Sequence, residues 1–272
     1  MRMLWNAYWG NRVLRNHEIN DLIALRRALH RAPEISGLEH ETAATIQRYL
    51  GAVKPDNVIT GLGGTGIAFE FFGVDTGPTV MIRAELDALP IQEINDIPHQ
   101  SEIANMGHLC GHDGHMAMLC GVAHLVARNR PARGRVVLLF QPAEETGQGA
   151  QAVIDDPQFS QIAPDYVFSL HNLPGLALGH VGLVKHGANC ASRGMRVDLQ
   201  GVTAHASMPE TGVSPMQAVA TLMPALSALG IGGALTPEFK LVTLTHANMG
   251  APTFGIAPGH ARIHATLRTL HD

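Results

Sequence analysis

The apolar positions of this chain fall into two textures. In residues 17–31, Ile19, Leu22, Ile23, Leu25 and Leu29 recur at helical spacing beside basic residues such as Arg26, and Pro33 stops the run, so a helix is expected there. Residues 39–50 repeat the pattern through Ala43, Ile46 and Leu50, with Gly51 expected as the C-cap. Ile67 to Phe72 and the short runs at 79–83 and 166–170 predict strands, and the continuous apolar run at 136–140 predicts a strand covered on both faces. Residues 114–129 predict a helix carrying Met118, Leu119, Val122, Leu125 and Val126, capped by Asp113 and with Cys120 and His124 as plain core and surface positions.

After about Ala188 the pattern changes. Residues 195–199, 241–245 and 261–267 alternate, and a helix is expected over 215–229, which together predict a smaller α+β unit. The expected division is therefore 1–188 and 189–272. The uncharged stretch 218–235 is broken by Pro224, Ser227 and glycines, so a buried helix ending near Gly230 is expected rather than a membrane span.

Composition narrows the class. A chain of 272 residues, 46% hydrophobic and 15% charged, can bury one sizeable core or two modest ones. A formal charge of -4 argues against a general nucleic-acid binder, and the cluster Arg128, Arg130, Arg133 and Arg135 is expected to be a solvated turn. Three cysteines in a chain of this size predict no disulfide framework and a reducing compartment, by default the cytoplasm. The start MRMLWNAYWGNR has no apolar segment followed by a small-residue cleavage site, so no signal peptide is expected.

The chemistry gathers around Gly107 to His115, GHLCGHDGH, where Cys110, His112 and His115 offer a thiolate and two imidazoles among glycines. With 16 histidines in the chain such a cluster alone means little. Its weight comes from other groups at strand ends: Glu85 and Asp87 after 79–83, Glu144 and Glu145 after 136–140, and His171 after 166–170. A divalent ion held by thiolate, imidazole and carboxylate with a position left open acidifies water and polarises a carbonyl, which suits hydrolysis. Two adjacent glutamates in extended backbone face opposite ways, so one is expected to ligate while the other serves as a general base. A structural zinc site would be closed by four cysteine or histidine ligands, and a Cys110 nucleophile would leave both glutamates without a role. Gly61, Gly63 and Gly66 satisfy G-x-G-x-x-G, but they lead into a strand rather than a helix, so a turn is expected instead of a dinucleotide site.

At these residues the chain resembles the M20 metallopeptidase family, in the amidohydrolase branch that includes hippurate hydrolases, indole-acetyl-amino-acid hydrolases and N-acetyl-diaminopimelate deacetylases. The resemblance rests on RRALHRAPEISGLEHET (26–42), TGLGGTG (60–66), IRAELDALPI (82–91), GHLCGHDGHMAML (107–119), LLFQPAEETGQGA (138–150), SLHN (169–172), GVTAHASMP (201–209) and ATLRTL (265–270), in family order over nearly the whole chain. It implies an α/β fold: a mixed-sheet catalytic domain between helices with an inserted smaller α+β lid domain that pairs with a second subunit. It also implies metal ligation by Cys110, His112, Glu145 and His171, with two zinc, manganese or cobalt ions per site. Glu144 would be the general base, Asp87 would orient the metal centre, and His205 would reach the substrate, an N-acyl amino acid or related small amide. His115 then becomes a neighbour of the ligands rather than one of them. No nucleic acid or membrane partner is implied.

This chain has Glu85 where the family usually has Asp, and Phe254-Gly255-Ile256-Ala257-Pro258 where it usually has Phe-Asn-Val-Ile-Pro. The family also continues beyond the position of Asp272, back into the catalytic domain, and supplies one more metal-binding histidine there. A non-catalytic, truncated homologue serving as a binding or dimerisation module is the alternative reading.

Overall fold

The apolar runs assemble into a five-stranded mixed sheet. Its strands are β1 (Asn57–Leu62), β2 (Gly66–Phe72), β3 (Asp75–Glu85), β4 (Arg133–Gln141) and β5 (Tyr166–Ser169), in the order β1-β2-β4-β3-β5. The computed structural model describes residues 13–183 and 190–271. The chain divides into two compact units after Gly175. The boundary expected near Ala188 lies outside the described residues.

In the first unit, helices α1 (Asn16–Arg31), α2 (His40–Gly51) and α3 (His112–Arg128) cover one face of the sheet. Their Leu22, Leu25, Leu29, Ile46, Leu50, Met116 and Leu119 pack with Ile67, Phe69, Phe71, Leu138 and Phe140 in one core. The other face packs Ile59, Leu62, Ala68, Met81, Val137 and Leu139 against Val153 of α4 (Gly149–Asp155) and Ile162 beyond the following 3-10 turn. The continuous apolar run of β4 is thus explained by cover on both faces. Phe69 and Phe140 meet edge to face at 5.8 Å between ring centroids.

Several local expectations give way to tertiary contacts. Ile19 and Ile23 lie 41% and 44% exposed, because α1 turns Leu22, Leu25 and Leu29 inward together with Glu18. Gly51 is the last residue of α2, and the cap falls on Ala52 at φ -68. Asp113 does not cap α3: the N-cap is Gly111 in left-handed conformation, and Asp113 is buried against Arg26 and His30 of α1. The arginine cluster is largely paired, with Arg128 on Glu18, Arg130 on Asp56 and Arg135 on Glu70.

Glu18 ties α1 to α3. Burial alone would raise its pKa, but the Arg15 N–H and the Arg128 guanidinium outweigh that and hold it below the ordinary 4.5. The native state therefore prefers the ionised form, and the resulting stability is full above 4.5 and is lost as pH falls through the lowered pKa. Glu18→Gln is expected to cost about 1.5–3 kcal/mol at neutral pH, the range for hydrogen bonds to charged groups. Urea unfolding at successively lower pH should show the gap to wild type closing in acid.

The second unit holds a three-stranded antiparallel sheet of β6 (Ala191–Gln200), β10 (His260–Thr269) and β8 (Lys240–Met249) in that order. Beside it are the short pair β7 (Ala204–His205) and β9 (Ile256–Ala257), and α5 (Met216–Ala228). The alternation in sequence is that of a sheet with Ala261, Ile263 and Ala265 on its covered side. The helix expected over 215–229 forms as α5, but it is not a buried one, since none of its residues is fully buried. No helix among the described residues is long and apolar enough to cross a membrane.

Candidate metal centre

Parallel pairing brings the chemistry to one edge. β3 runs parallel to β4 and β5, with Glu85 opposite Gln141 and Arg83 opposite Ser169. The residues just past these ends, Asp87, Glu144 with Glu145, and His171, therefore emerge together. The loop before α3 adds Cys110 and the first helical residue, His112. Gly111 makes this approach possible: it sits at φ 90, and a Cβ there would lie 2.5 Å from Asn172 Oδ1. The loop is tied to α1 through Asp113, whose Oδ2 meets Arg26 Nε at 2.6 Å and His30 Nδ1 at 2.8 Å, while His30 Nε2 meets buried Glu93 at 3.1 Å.

His112 is the hub. It is fully buried, its Nδ1 donates to the Asp87 carbonyl at 2.8 Å, and its Nε2 has no partner. Around it the chain offers the donor groups Cys110/His112/His171, His112/Glu144/Glu145 and Glu85/His112/His115, each with ligand atoms within 4.8 Å of one another. Cys110 Sγ lies 3.3 Å from His171 Nε2, and the carboxylates of Glu144 and Glu145 each lie 3.8 Å from His112 Nε2. The glutamates do not alternate as extended neighbours would. They stand in a turn after Ala143, whose φ is 45, and both reach His112.

Asp87 holds this arrangement from below. Its Oδ2 accepts from Ser36 Oγ at 2.7 Å and from the Glu145 N–H at 2.9 Å. Burial would raise its pKa, but His112, Ser36 and the Glu145 and Glu144 N–H groups bring it down to about 2. His115 is engaged by both ring nitrogens, Nδ1 with Glu85 at 2.8 Å and Nε2 with Asn172 at 2.8 Å. Glu85 spans from His115 to Arg83, 2.9 Å away, and Arg83 in turn donates to Gln141. Burial tends to raise the Glu85 pKa, but His115 and Arg83 hold it below the ordinary range.

The donor set fits a divalent cation on two grounds. Two buried atoms without a hydrogen-bond partner, His112 Nε2 and Glu145 Oε1, lie 3.8 Å apart. Negative charge is also in excess around Cys110 and Glu145. Burial and the neighbouring Glu145, Glu144 and Glu85 push the Cys110 thiol up to about 12, and burial raises Glu145 as well. Burial would lower His112, yet Asp87 and Glu85 raise it to about 9. Around Cys110 and Glu145 further negative charge is disfavoured, and a cation bound there would offset it.

His205 belongs to the second unit. It is exposed on β7, and its ring shares contacts with the Ser207 hydroxyl at 2.8 Å and the Ser207 N–H at 3.2 Å. Asn172, Ser36, Arg83 and Gln141 lie within the motifs, yet sequence alone points to no role for them. Nothing in their residue type separates a supporting hydrogen bond from an exposed polar side chain.

A mixed α/β sheet with thiolate, imidazole and carboxylate donors at the ends of its parallel strands is the architecture of a metallopeptidase. The chain belongs to the family described as Peptidase family M20/M25/M40, which it matches over residues 81–268. It is 37% identical over 250 residues to the N-acetyl-L-cysteine deacetylase of Bacillus subtilis (strain 168), an alignment covering 92% of this chain and 59% of that protein. It is 30% identical to the N-acetyldiaminopimelate deacetylase of Geobacillus thermodenitrificans (strain NG80-2), over 93% of this chain and 66% of the other. Among solved structures, a dinuclear metal binding peptidase of the M20 family from Bacillus subtilis superposes with a TM-score of 0.68 at 29% identity, covering 94% of this chain and 66% of that one. The chain thus spans about three fifths to two thirds of the length of these relatives.

Proposed function

We propose that this chain forms the metal-binding part of a hydrolase that cleaves the amide bond of N-acyl amino acids or related small amides. The observation that carries the reading is the buried Nε2 of His112, which has no hydrogen-bond partner, on a residue shared by all three donor groups among the described residues. Cys110, His112, Glu145 and His171 would hold the metal, two divalent ions of the zinc, manganese or cobalt kind. When bound, such ions supply a Lewis acid for the amide carbonyl and lower the pKa of water.

The chain's own residues do the rest. Glu144, with a side chain 40% exposed, stands at the open side of the cluster, where its carboxylate takes a proton from the attacking water and returns it to the leaving nitrogen. Asp87 fixes the His112 ring through its carbonyl and the Glu145 backbone through its carboxylate. His205 contacts the substrate, and residues 189–272 act as a lid through which two copies pair. The free thiols of Cys110, Cys120 and Cys190 support a reducing compartment, the cytoplasm. The named relatives, deacetylases of N-acetylated amino acids, support the substrate class.

Purified protein supplied with manganese, zinc or cobalt is expected to hydrolyse members of a panel of N-acetyl and N-benzoyl amino acids, and chelation should remove the activity. Metal uptake without cleavage of any member would sink the substrate class. Neither uptake nor turnover would favour a non-catalytic binding or dimerisation module.

A further inference from the structure

Glu39 is a fully buried carboxyl that the proposed reaction does not use. It is the N-cap residue of α2, yet its side chain makes no bond to that helix. Its Oε2 instead accepts the Thr65 hydroxyl at 2.6 Å, and its Oε1 accepts the backbone N–H of Ala143 at 2.8 Å. Ala143 is the residue immediately before Glu144 and Glu145, and its φ of 45 is in the left-handed region that a Cβ disfavours. A residue stays there only when its surroundings hold it.

The surroundings are built for that. The glycine motif that resembled a dinucleotide loop is the β1–β2 turn, and it presents Thr65 to Glu39. At its end Gly66 lies so near Pro142 that a Cβ would sit 2.9 Å from the proline Cδ. From the other side Gly149 donates to the Ala143 carbonyl at 3.0 Å, and a Cβ at Gly149 would lie 1.6 Å from the Pro142 carbonyl oxygen. Two buried carboxyls therefore take the N–H groups of this turn, Glu39 at residue 143 and Asp87 at residue 145. Without them the turn keeps the Gly147 and Gly149 N–H bonds to its own carbonyls but loses both carboxyl anchors, and the two glutamates are free to splay to opposite sides.

We propose that Glu39 is a positioning residue: by holding the Ala143 N–H it keeps the left-handed turn that aims both Glu144 and Glu145 at His112. The proposal rests on the reading of Glu145 as a metal ligand and Glu144 as the base.

The test is a cobalt(II) titration of wild type and variants, followed by visible absorption, alongside steady-state kinetics. Glu39→Ala removes the acceptor and should weaken cobalt binding about 10- to 100-fold, the range for partners that orient a ligand. It should also lower kcat with little change in KM. Glu39→Gln keeps an oxygen for Ala143 and can donate to Thr65, so it should restore both quantities to near wild type. A Gln variant as impaired as the Ala variant would overturn the proposal, as would wild-type cobalt affinity in Glu39→Ala. Should Glu39→Ala not fold, Glu39→Asp decides: its shorter side chain withdraws from Ala143, and unchanged affinity would again overturn the proposal. Wild-type protein that takes up no cobalt would overturn the metal reading itself. Uptake that is equal in wild type and the Ala variant overturns only the role of Glu39.

Discussion

Glu144→Gln is expected to lower turnover of a susceptible N-acyl amino acid about 10²- to 10⁴-fold, the usual contribution of a positioned general base. Metal content should stay at the wild-type level. The contrast follows from the site: the Glu144 side chain is 40% exposed, whereas that of Glu145 is 18% exposed and has a buried oxygen without a partner. Glutamine keeps the shape but has no basic oxygen to take a proton. Because the side chain is half in solvent, stability should change by no more than about 0.5 kcal/mol. Kinetics and metal analysis on the same sample check both halves. Turnover close to wild type would place the base elsewhere, and joint loss of metal and turnover would make Glu144 a ligand.

His112→Ala should have the opposite signature, losing metal first and activity as a result. His112 is common to the three donor groups among the described residues, so its loss breaks each of them. Cys110→Ala, by comparison, removes a member of a single group. The loss of affinity in His112→Ala should exceed about 100-fold, the upper end of what supporting partners alone contribute. The variant also leaves the buried Asp87 carbonyl without the His112 donor, which should add a stability cost of about 1–3 kcal/mol. Metal analysis after dialysis, set beside thermal unfolding of the metal-free protein, separates the two effects. Retention of wild-type metal content by His112→Ala would refute its place as the hub.

Much of this was legible from residue order alone, and the exceptions share a cause. β4 could be recognised because a strand covered on both faces has to be apolar throughout. The burial of α5 could not, because an apolar run does not say whether a neighbour covers it. Asp113 stands where a cap is expected, but the pairing with Arg26 and His30, more than 80 positions earlier in sequence, outweighs the local bond. The glutamate pair was expected to alternate in extended backbone, and the positive φ at Ala143 reverses that. Positive φ at a residue with a Cβ leaves no mark in sequence, since glycine would be the ordinary signal.

By itself the sequence determined most of the inventory: the longer helices and most strands, though not β1, α4, β7 or β9, which donor types exist, and that they stand at strand ends and in one glycine-bearing loop. Those are consequences of periodicity and side-chain chemistry, which are local. The tertiary structure decided which donors meet, that both glutamates face His112, and that His115 is spent on Glu85 and Asn172. Such meetings depend on parallel strand register and on one backbone reversal, where a shift of a single residue would turn each side chain to the other face. Distances of this kind are properties of packed elements far apart in sequence.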